Sequence, residues 1–400
     1  MSATAHEARR RVGRSAAALA ATALVLAGLA ACSPSGDPDA TPTTATPESL
    51  WDSTVVHSIS LDISPDDSDA VIAAYRDTGS KISAHAAVTV DGESFDDVGV
   101  SIAGEPELDP AATEIDLVGL PWLIRLDEFV DGQNIEGETE LQFSANTSST
   151  ALNESVALDL QAVAGLATQS AISTRFTVNG GDPKLRLVVQ VVGDEWIADQ
   201  FDSTDSLFVP RVGADYSYRG DDADAYEGVF DETVGDAGTA RLARFLEFAE
   251  ESSDAAFAKK LNNWLDIDSF AAYLAFQKLV TGDGGPDART ALEFGSSSKL
   301  MTLVAWDFSS AFLSSSTEGE TDGPVPSSLT KRFLAVPEFA EVYDQALIDI
   351  SSTLYDTGTA ENFLDERDKA LKSQASDLVP RAVITREAKA LERQILARTP

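Results

Sequence analysis

Apolar and polar residues alternate along several short segments of the first half of the chain, which is the pattern of half-buried β-strands. Residues 56–63 and 84–90 alternate in this way, and Asp91-Gly92 after the second segment favours a hairpin turn. Two helices are predicted among them, over 69–76 and 152–164, the second because its apolar residues recur on one face. Four further strands are predicted over 123–126, 139–143, 171–178 and 185–192.

From about residue 236 the apolar residues recur with a helical period, and one strand pair interrupts the predicted helices. The pair is 291–294 and 300–306, joined by a Gly-Ser-Ser-Ser loop. A strand-rich part before a helical part predicts an α+β fold of two lobes, over about 55–210 and 236–398, with a ligand cleft between them. The predicted helices span 239–251, 254–263, 268–281, 328–334, 337–355 and 360–397.

The first 31 residues are interpreted as a lipoprotein signal peptide. Four arginines precede an apolar run from 16 to 26 that is too short to span a bilayer, and Leu29-Ala30-Ala31-Cys32 follows. Cys32 is the only cysteine, and it lies where a bacterial lipobox is acylated, so we expect an exported protein anchored at the outer face of the cytoplasmic membrane. The alternative is an ordinary signal peptide with a chance cysteine. Residues 32–50, rich in Pro, Thr and Ser, are predicted to be an exposed tether.

The charge of the chain excludes some classes of partner. The sequence has 66 acidic and 29 basic side chains, a net charge of −37, and loss of residues 1–31 removes four arginines and one glutamate to give −40. Nucleic acid is excluded as a partner, because binding to a phosphate backbone needs clustered lysine and arginine. A single cysteine likewise excludes an internal disulfide framework and a cysteine-based zinc site.

Two aspartates are the best candidates for chemistry. The sequence has no G-x-S-x-G, H-E-x-x-H, P-loop or G-x-G-x-x-G motif, and His57 and His85 are interpreted as sheet residues rather than as a catalytic base. Asp283 lies in a glycine-rich loop after a predicted helix, and Asp307 ends the apolar strand 300–306. Together they could bind Mg²⁺ or Mn²⁺. The alternative is that Asp307 caps a turn and Asp283 lies in an acidic loop.

Several short segments, taken in their order along the chain, carry a resemblance to a known family. These segments are Asp91-Gly92, Asp97-Val98-Gly99-Val100, 126–133, Asn153-Glu154, Arg175, Val178-Asn179-Gly180, 264–268, Asp283 before Gly285-Pro286, Ala305-Trp306-Asp307, and Arg398. In this order they resemble the CotH kinase-like family, the spore-coat protein H group, over residues 55–398.

The resemblance implies an atypical protein-kinase-like fold, with a β-rich N-terminal lobe, a mainly helical C-terminal lobe, and ATP with Mg²⁺ or Mn²⁺ between them. It also implies transfer of phosphate to serine or threonine of surface proteins. By the same resemblance, Asp307 would be the metal-binding aspartate and Asp283 the catalytic one, while Asn179 belongs to a structural turn.

The basic residues that such a kinase needs for phosphate are largely missing. Where the family has R-x-K-G, this chain has Ser101-Ile102-Ala103-Gly104, and Arg125 is the only basic residue between Lys81 and Arg175. Arg125 is therefore the one candidate for cofactor phosphate in this lobe. We interpret the chain as a degenerate kinase that acts as a binding or scaffold module, with an envelope or surface protein as its partner. The alternatives are an active kinase, with Arg125 or Arg289 replacing the lysine, and a different nucleotide or sugar ligand.

Overall fold

The computed structural model describes residues 47–104, 106, 108, 115–211, 216–226, 228–235, 238–281, 289–312 and 327–398, which all belong to one compact unit, Pro42–Pro400. The predicted signal peptide and Cys32 lie outside these residues, as do most of the predicted tether and Asp283. Leu50, at the end of the predicted tether, is buried, and its N–H donates to the Glu136 carboxylate at 3.0 Å. The folded body therefore includes residues just before position 51.

The strand-rich part forms a closed barrel of seven described strands, in the order β1-β2-β3-β4-β5-β7-β6. Its strands are β1 (Val56–Ile63), β2 (Ala84–Val90), β3 (Glu93–Ile102), β4 (Trp122–Arg125), β5 (Glu140–Phe143), β6 (Ala171–Val178) and β7 (Lys184–Gln190). Strands β1 and β6 are parallel, and the other neighbouring pairs are antiparallel. Inward-facing apolar residues fill the barrel, among them Trp122, Phe143 and Phe176, each fully buried.

The helical part contains a second sheet of four described strands, in the order β11-β10-β8-β9. These are β8 (Ser206–Pro210), β9 (Phe230–Gly235), β10 (Arg289–Phe294) and β11 (Met301–Trp306). The sequence predicted the hairpin of β10 and β11, which is confirmed, but it placed residues up to 210 in the first lobe. Strand β8 instead pairs with β10, Leu292 opposite Phe208, so it belongs to the sheet of the helical part.

The helices pack mainly against one another, and some of them also contact the strands. They are α1 (Pro65–Thr78), α2 (Leu152–Val163), α3 (Asp194–Gln200), α4 (Ala240–Glu251), α5 (Asp254–Lys260), α6 (Ile267–Thr281), α7 (Ser327–Ala335), α8 (Pro337–Ser351), α9 (Thr359–Gln374) and α10 (Arg381–Leu396). Within the described ranges, none combines the length and the apolar content that crossing a bilayer requires. The predicted α+β class is confirmed.

The prediction of one helix over 360–397 is wrong, because the structure has two helices, α9 and α10. Pro380 lies between them, and proline has no N–H to donate and disfavours helical backbone at the residue before it. The chain restarts as a helix directly after it, with the N–H groups of Val383 and Ile384 donating to the Pro380 carbonyl. Pro380 is therefore the start of α10 rather than an interior residue.

Helix α2 connects the barrel to the helical part. Its apolar residues join the same core as the outward-facing Leu185, Leu187 and Val189 of β7. The buried guanidinium of Arg367 on α9 donates to both carboxylate oxygens of Asp159 on α2, at 2.5 and 2.7 Å, and to the Ala171 carbonyl of β6 at 3.3 Å. This ion pair holds the last helices against α2 and the barrel.

Candidate functional site

A pocket of about 330 Å³ lies where the barrel meets the helical part. Ala103 and Gly104, after β3, and Ser144, after β5, line one side of it. Glu154 of α2 and the segment after β11 line the other side. Seven separate parts of the described sequence meet at this pocket, since Pro121 before β4, Gln169 before β6 and Val189 of β7 line it as well.

Asp307 lines this pocket, and helix α2 fixes its position. Strand β11 ends at Trp306, and Asp307 follows with φ of 60°, a left-handed backbone that only surrounding contacts maintain in a residue with a side chain. On one side of it, the Gln161 amide donates to the Ala305 carbonyl at 2.9 Å. On the other side, the Asn153 amide donates to the Ser309 carbonyl.

Thr147 completes the attachment, since its hydroxyl donates to the same Ser309 carbonyl at 2.7 Å. The segment that carries Asp307 is thus hydrogen-bonded to α2 both before and after the aspartate, and to the loop that precedes α2. Asp307 thus follows directly after the predicted apolar strand and lies beside the pocket; its role as a metal ligand stays a prediction.

Glu154 is the second carboxylate of the pocket. Only 4% of the residue is exposed, and its Oε2 accepts a hydrogen bond from the Ser144 hydroxyl at 2.7 Å. Burial and, to a smaller extent, the nearby charge of Asp307 raise the pKa of Glu154 to about 7, although the hydrogen bond from Ser144 lowers it. This carboxyl therefore holds its proton more strongly than an exposed glutamate does.

Sequence reasoning missed Glu154 as a site residue and used Asn153-Glu154 only as the start of a helix. No signal in the sequence marked it, because α2 carries other polar residues, such as Ser155 and Gln161, and these are buried only through the packing of the helix against other elements. The groups that act on Glu154 could not be predicted from the sequence either, since Ser144 and Asp307 belong to other elements of the fold.

Arg125, the predicted phosphate-binding residue, is not among the residues that line the pocket. It lies at the end of β4, opposite Glu140 of β5, and its Nε donates to the Glu140 carboxylate at 2.7 Å. Its Nη1 is 3.6 Å from the Glu128 carboxylate. Arg125 is therefore already paired with two carboxylates, outside the pocket.

The other predicted residues fall in different places. Arg289 begins β10 opposite Trp306, and Asp283 lies outside the described residues. Asn179 has φ of 52° and its side chain accepts the Ile63 N–H at 2.8 Å, as a turn residue does. His57 and His85 lie in β1 and β2, as predicted for sheet residues.

The two histidines have partners away from the pocket. His57 is fully buried, with Nδ1 2.7 Å from an Asp91 carboxylate oxygen and Nε2 3.0 Å from the Asp52 carbonyl. His85 is exposed, its ring stacks on Phe129 with a centroid separation of 3.7 Å, and its Nδ1 contacts Asp97.

The described side chains that line the pocket do not fit a nucleoside triphosphate. Phosphate transfer needs cations on the β- and γ-phosphates, and no lysine, arginine or histidine is among the described residues that line the pocket. The carboxylates of Asp307 and Glu154 offer oxygen ligands, but no group of three or more His, Cys, Asp or Glu suited to a metal occurs in the described part of the chain. The described wall of the pocket is acidic and would repel phosphate.

A protein-family model matches most of the folded part of this chain. The family model described as CotH kinase protein matches residues 120–382, about two thirds of the chain. The chain belongs to the CotH kinase family. The matched range includes Glu154, Asp307 and α2, whereas Ala103 and Gly104 precede it. The two-lobed, kinase-like α+β fold predicted from the sequence is thereby confirmed.

Similar solved structures are more distant. One is the Helicobacter pylori proinflammatory kinase CtkA, at 9% identity and a TM-score of 0.31, with 73% of this chain and 94% of that chain covered. Another is the Shewanella oneidensis MR-1 toxin–antitoxin complex of HipA, HipB and operator DNA, at 13% identity and a TM-score of 0.33, with 74% and 65% covered. No protein with a curated description matches the chain.

Proposed function

We propose that this CotH-family protein is a lipid-anchored protein of the cell envelope whose pocket binds a ligand without transferring phosphate from ATP. The observation that supports this most directly is the charge of the pocket: Asp307 and Glu154 face it, and the described lining residues include no cation. Arg125, the one arginine of the barrel lobe that was expected to bind phosphate, is paired with Glu140 instead. An envelope or surface protein is the proposed partner.

One observation favours the second candidate, an active metal-dependent protein kinase. Asp307 ends a buried strand and projects into the pocket, as a metal-binding aspartate of a kinase would. When bound, Mg²⁺ or Mn²⁺ would neutralise phosphate charge there. This candidate also needs Asp283 as the catalytic aspartate and Arg289 as a substitute cation.

Incubation with ATP distinguishes the two candidates. We expect 1 mM ATP with Mg²⁺ or Mn²⁺ to leave the melting temperature unchanged, because the proposed pocket does not bind ATP. A ligand that did bind, at 100 times its Kd, would stabilise the fold by about 2.7 kcal/mol and raise the melting temperature. We also expect no labelled protein after incubation with γ-labelled ATP, either on this chain or on a generic Ser/Thr substrate. A melting shift together with label that Asp307→Ala removes, and that the surface variant Asp131→Asn retains, would establish the kinase instead.

The lipid anchor is tested at Cys32. In a bacterial host that processes lipoproteins, we expect the full chain to fractionate with membranes and to incorporate labelled palmitate. Cys32→Ser should abolish the label and move the protein out of the membrane fraction, because a lipobox without its cysteine has no thiol to acylate. A Cys32→Ser protein that stays in the membrane fraction would contradict lipid anchoring, and the Cys32→Ala variant serves as a second, sterically different test.

A further inference from the structure

The pocket combines an acidic interior with apolar walls. Glu154 is nearly inaccessible to solvent and only its Oε2 is hydrogen-bonded within the described residues, to Ser144. Asp307 is only partly buried. A ligand that enters therefore meets the carboxylate of Asp307 first and that of Glu154 deeper. Besides glycine, the apolar lining residues are Ala103, Pro106, Pro121, Phe143, Ala145, Val189 and Trp306, and the neutral polar ones are Gln142, Ser144, Gln169 and Ser309.

The size of the pocket limits what it can hold. A volume of about 330 Å³ is at the small end for ligand pockets, too small for a large cofactor and suited to one extended side chain or a small amine. Long basic side chains place their methylene groups on apolar surface and their charged end on polar groups. The walls and the two carboxylates match these two requirements.

We propose that this pocket binds an organic cation, a primary alkylammonium or guanidinium group on an aliphatic stem, such as a lysine or arginine side chain presented by the partner. The proposal rests on the proposed function, in which the pocket does not accept ATP. The cationic group would lie between Asp307 and Glu154, and the stem would contact Ala103, Pro121 and Trp306.

A divalent metal satisfies the observations less well. The described residues provide two carboxylates, one of which already accepts a hydrogen bond from Ser144, and metals such as Mg²⁺ prefer six oxygen ligands. A metal ion would also leave the apolar walls without a contact. Ammonium and guanidinium groups instead donate directly to carboxylates and leave the stem to cover the walls.

Ala103 offers a way to fill the site from within the chain. It lines the same pocket as Glu154, and its own methyl group contributes no charge. A lysine at this position would bring a tethered ammonium group into the pocket at a high effective concentration. Ala103→Lys should therefore occupy the proposed cation site and exclude an external amine.

Calorimetric titration of the full chain tests the proposal with three matched probes. These are the N-acetyl methylamides of lysine, arginine and norleucine, the last being similar in length to lysine but uncharged. We expect saturable one-to-one binding of the lysine or the arginine probe below about 1 mM, which corresponds to a binding free energy of about −4 kcal/mol. The norleucine probe should bind at least 10-fold more weakly.

Variants locate the binding. Glu154→Gln and Asp307→Asn should each weaken the charged probe at least 10-fold, about 1.4 kcal/mol, and Ala103→Lys should abolish its binding. The matched control Asp131→Asn removes one exposed charge on the barrel and should change the affinity less than 2-fold. Melting temperatures of all four variants verify that each is folded. If Glu154→Gln does not fold, Asp307→Asn and Ala103→Lys still test whether the charged probe binds in this pocket.

Several results would overturn the inference. These are equal binding of norleucine, no saturable binding of either charged probe, or affinity that survives both Asp307→Asn and Ala103→Lys. If MgCl₂ alone binds and displaces the charged probes, the pocket is a metal site and not a site for an organic cation. If the charged probes fail while ATP also gives no label, the inference falls but the proposed function stands. ATP-dependent labelling would contradict the proposed function itself.

Discussion

Replacement of Arg367 by alanine is expected to lower the free energy of unfolding by about 3 to 4 kcal/mol, because it leaves Asp159 as an unpaired, largely buried charge. The Asp159 side chain is 18% exposed and that of Arg367 is 4% exposed, so water cannot readily replace the guanidinium. The substitution also removes a donor from the Ala171 carbonyl. Urea unfolding measures the change.

Arg175 provides a matched control for this experiment. It also makes two hydrogen bonds to one aspartate, at 2.7 and 2.9 Å from Asp377, but both side chains are substantially exposed. Because exposed ion pairs contribute at most about 1 kcal/mol, Arg175→Ala should cost much less than Arg367→Ala. The double variant Arg367→Met with Asp159→Leu should recover much of the lost stability, since it removes both buried charges. Equal losses for the two arginine variants would show that burial does not govern the Arg367 pair.

The second large effect is a dependence of stability on pH that arises from two buried glutamates. Glu154 and Glu293 are 4% and 2% exposed, and in each case burial raises the pKa from 4.5 to about 7. Ser144 and Asp307 face Glu154, while Thr204, Thr302, Asp205 and Asp266 act on Glu293. Both groups prefer to be protonated in the folded state, so their contribution is fully present below pH 4.5 and is lost as the pH rises to 7.

Glutamine keeps the shape of glutamate and is neutral at every pH, so it isolates this effect. We expect Glu154→Gln and Glu293→Gln to be close to the parent protein at pH 4.5 and each more stable than it by about 3 kcal/mol at pH 8. Unfolding curves at a series of pH values measure the difference. Glu93→Gln, at an exposed position of β3, should show no such trend. A difference that does not grow with pH would mean that these carboxyls ionise normally.

Much of the barrel could be predicted from the sequence, because alternating burial is a local pattern. The predicted bounds of β1 and β6 agree with the structure at both ends. Strand β3 was not predicted, since its residues from Val98 to Ile102 are all buried and show no alternation. Strands β8 and β9 were not predicted either: β8 pairs with β10, which lies some 80 residues further along the chain, and β9 joins the sheet only through β8.

The pocket could be predicted only in part, for the same reason. The position of Asp307 followed from the apolar strand before it. The pairing of Arg125 with Glu140 depends on the register of β4 with β5, which residue spacing alone does not reveal. The raised pKa of Glu154 depends on its burial and on the nearby charge of Asp307, which outweigh the lowering by the hydrogen bond from Ser144.

The attachment of the Asp307 segment to α2 limits how far this side of the pocket can move. Gln161 and Asn153 hold this segment before and after the aspartate, and the same helix is fixed to α9 by Arg367. Displacement of the Asp307 segment therefore requires its hydrogen bonds to α2 to break, on both sides of the aspartate, while α2 itself is held in the main core. A ligand consequently meets carboxylates that are already in position, and little of its binding free energy is spent on ordering them.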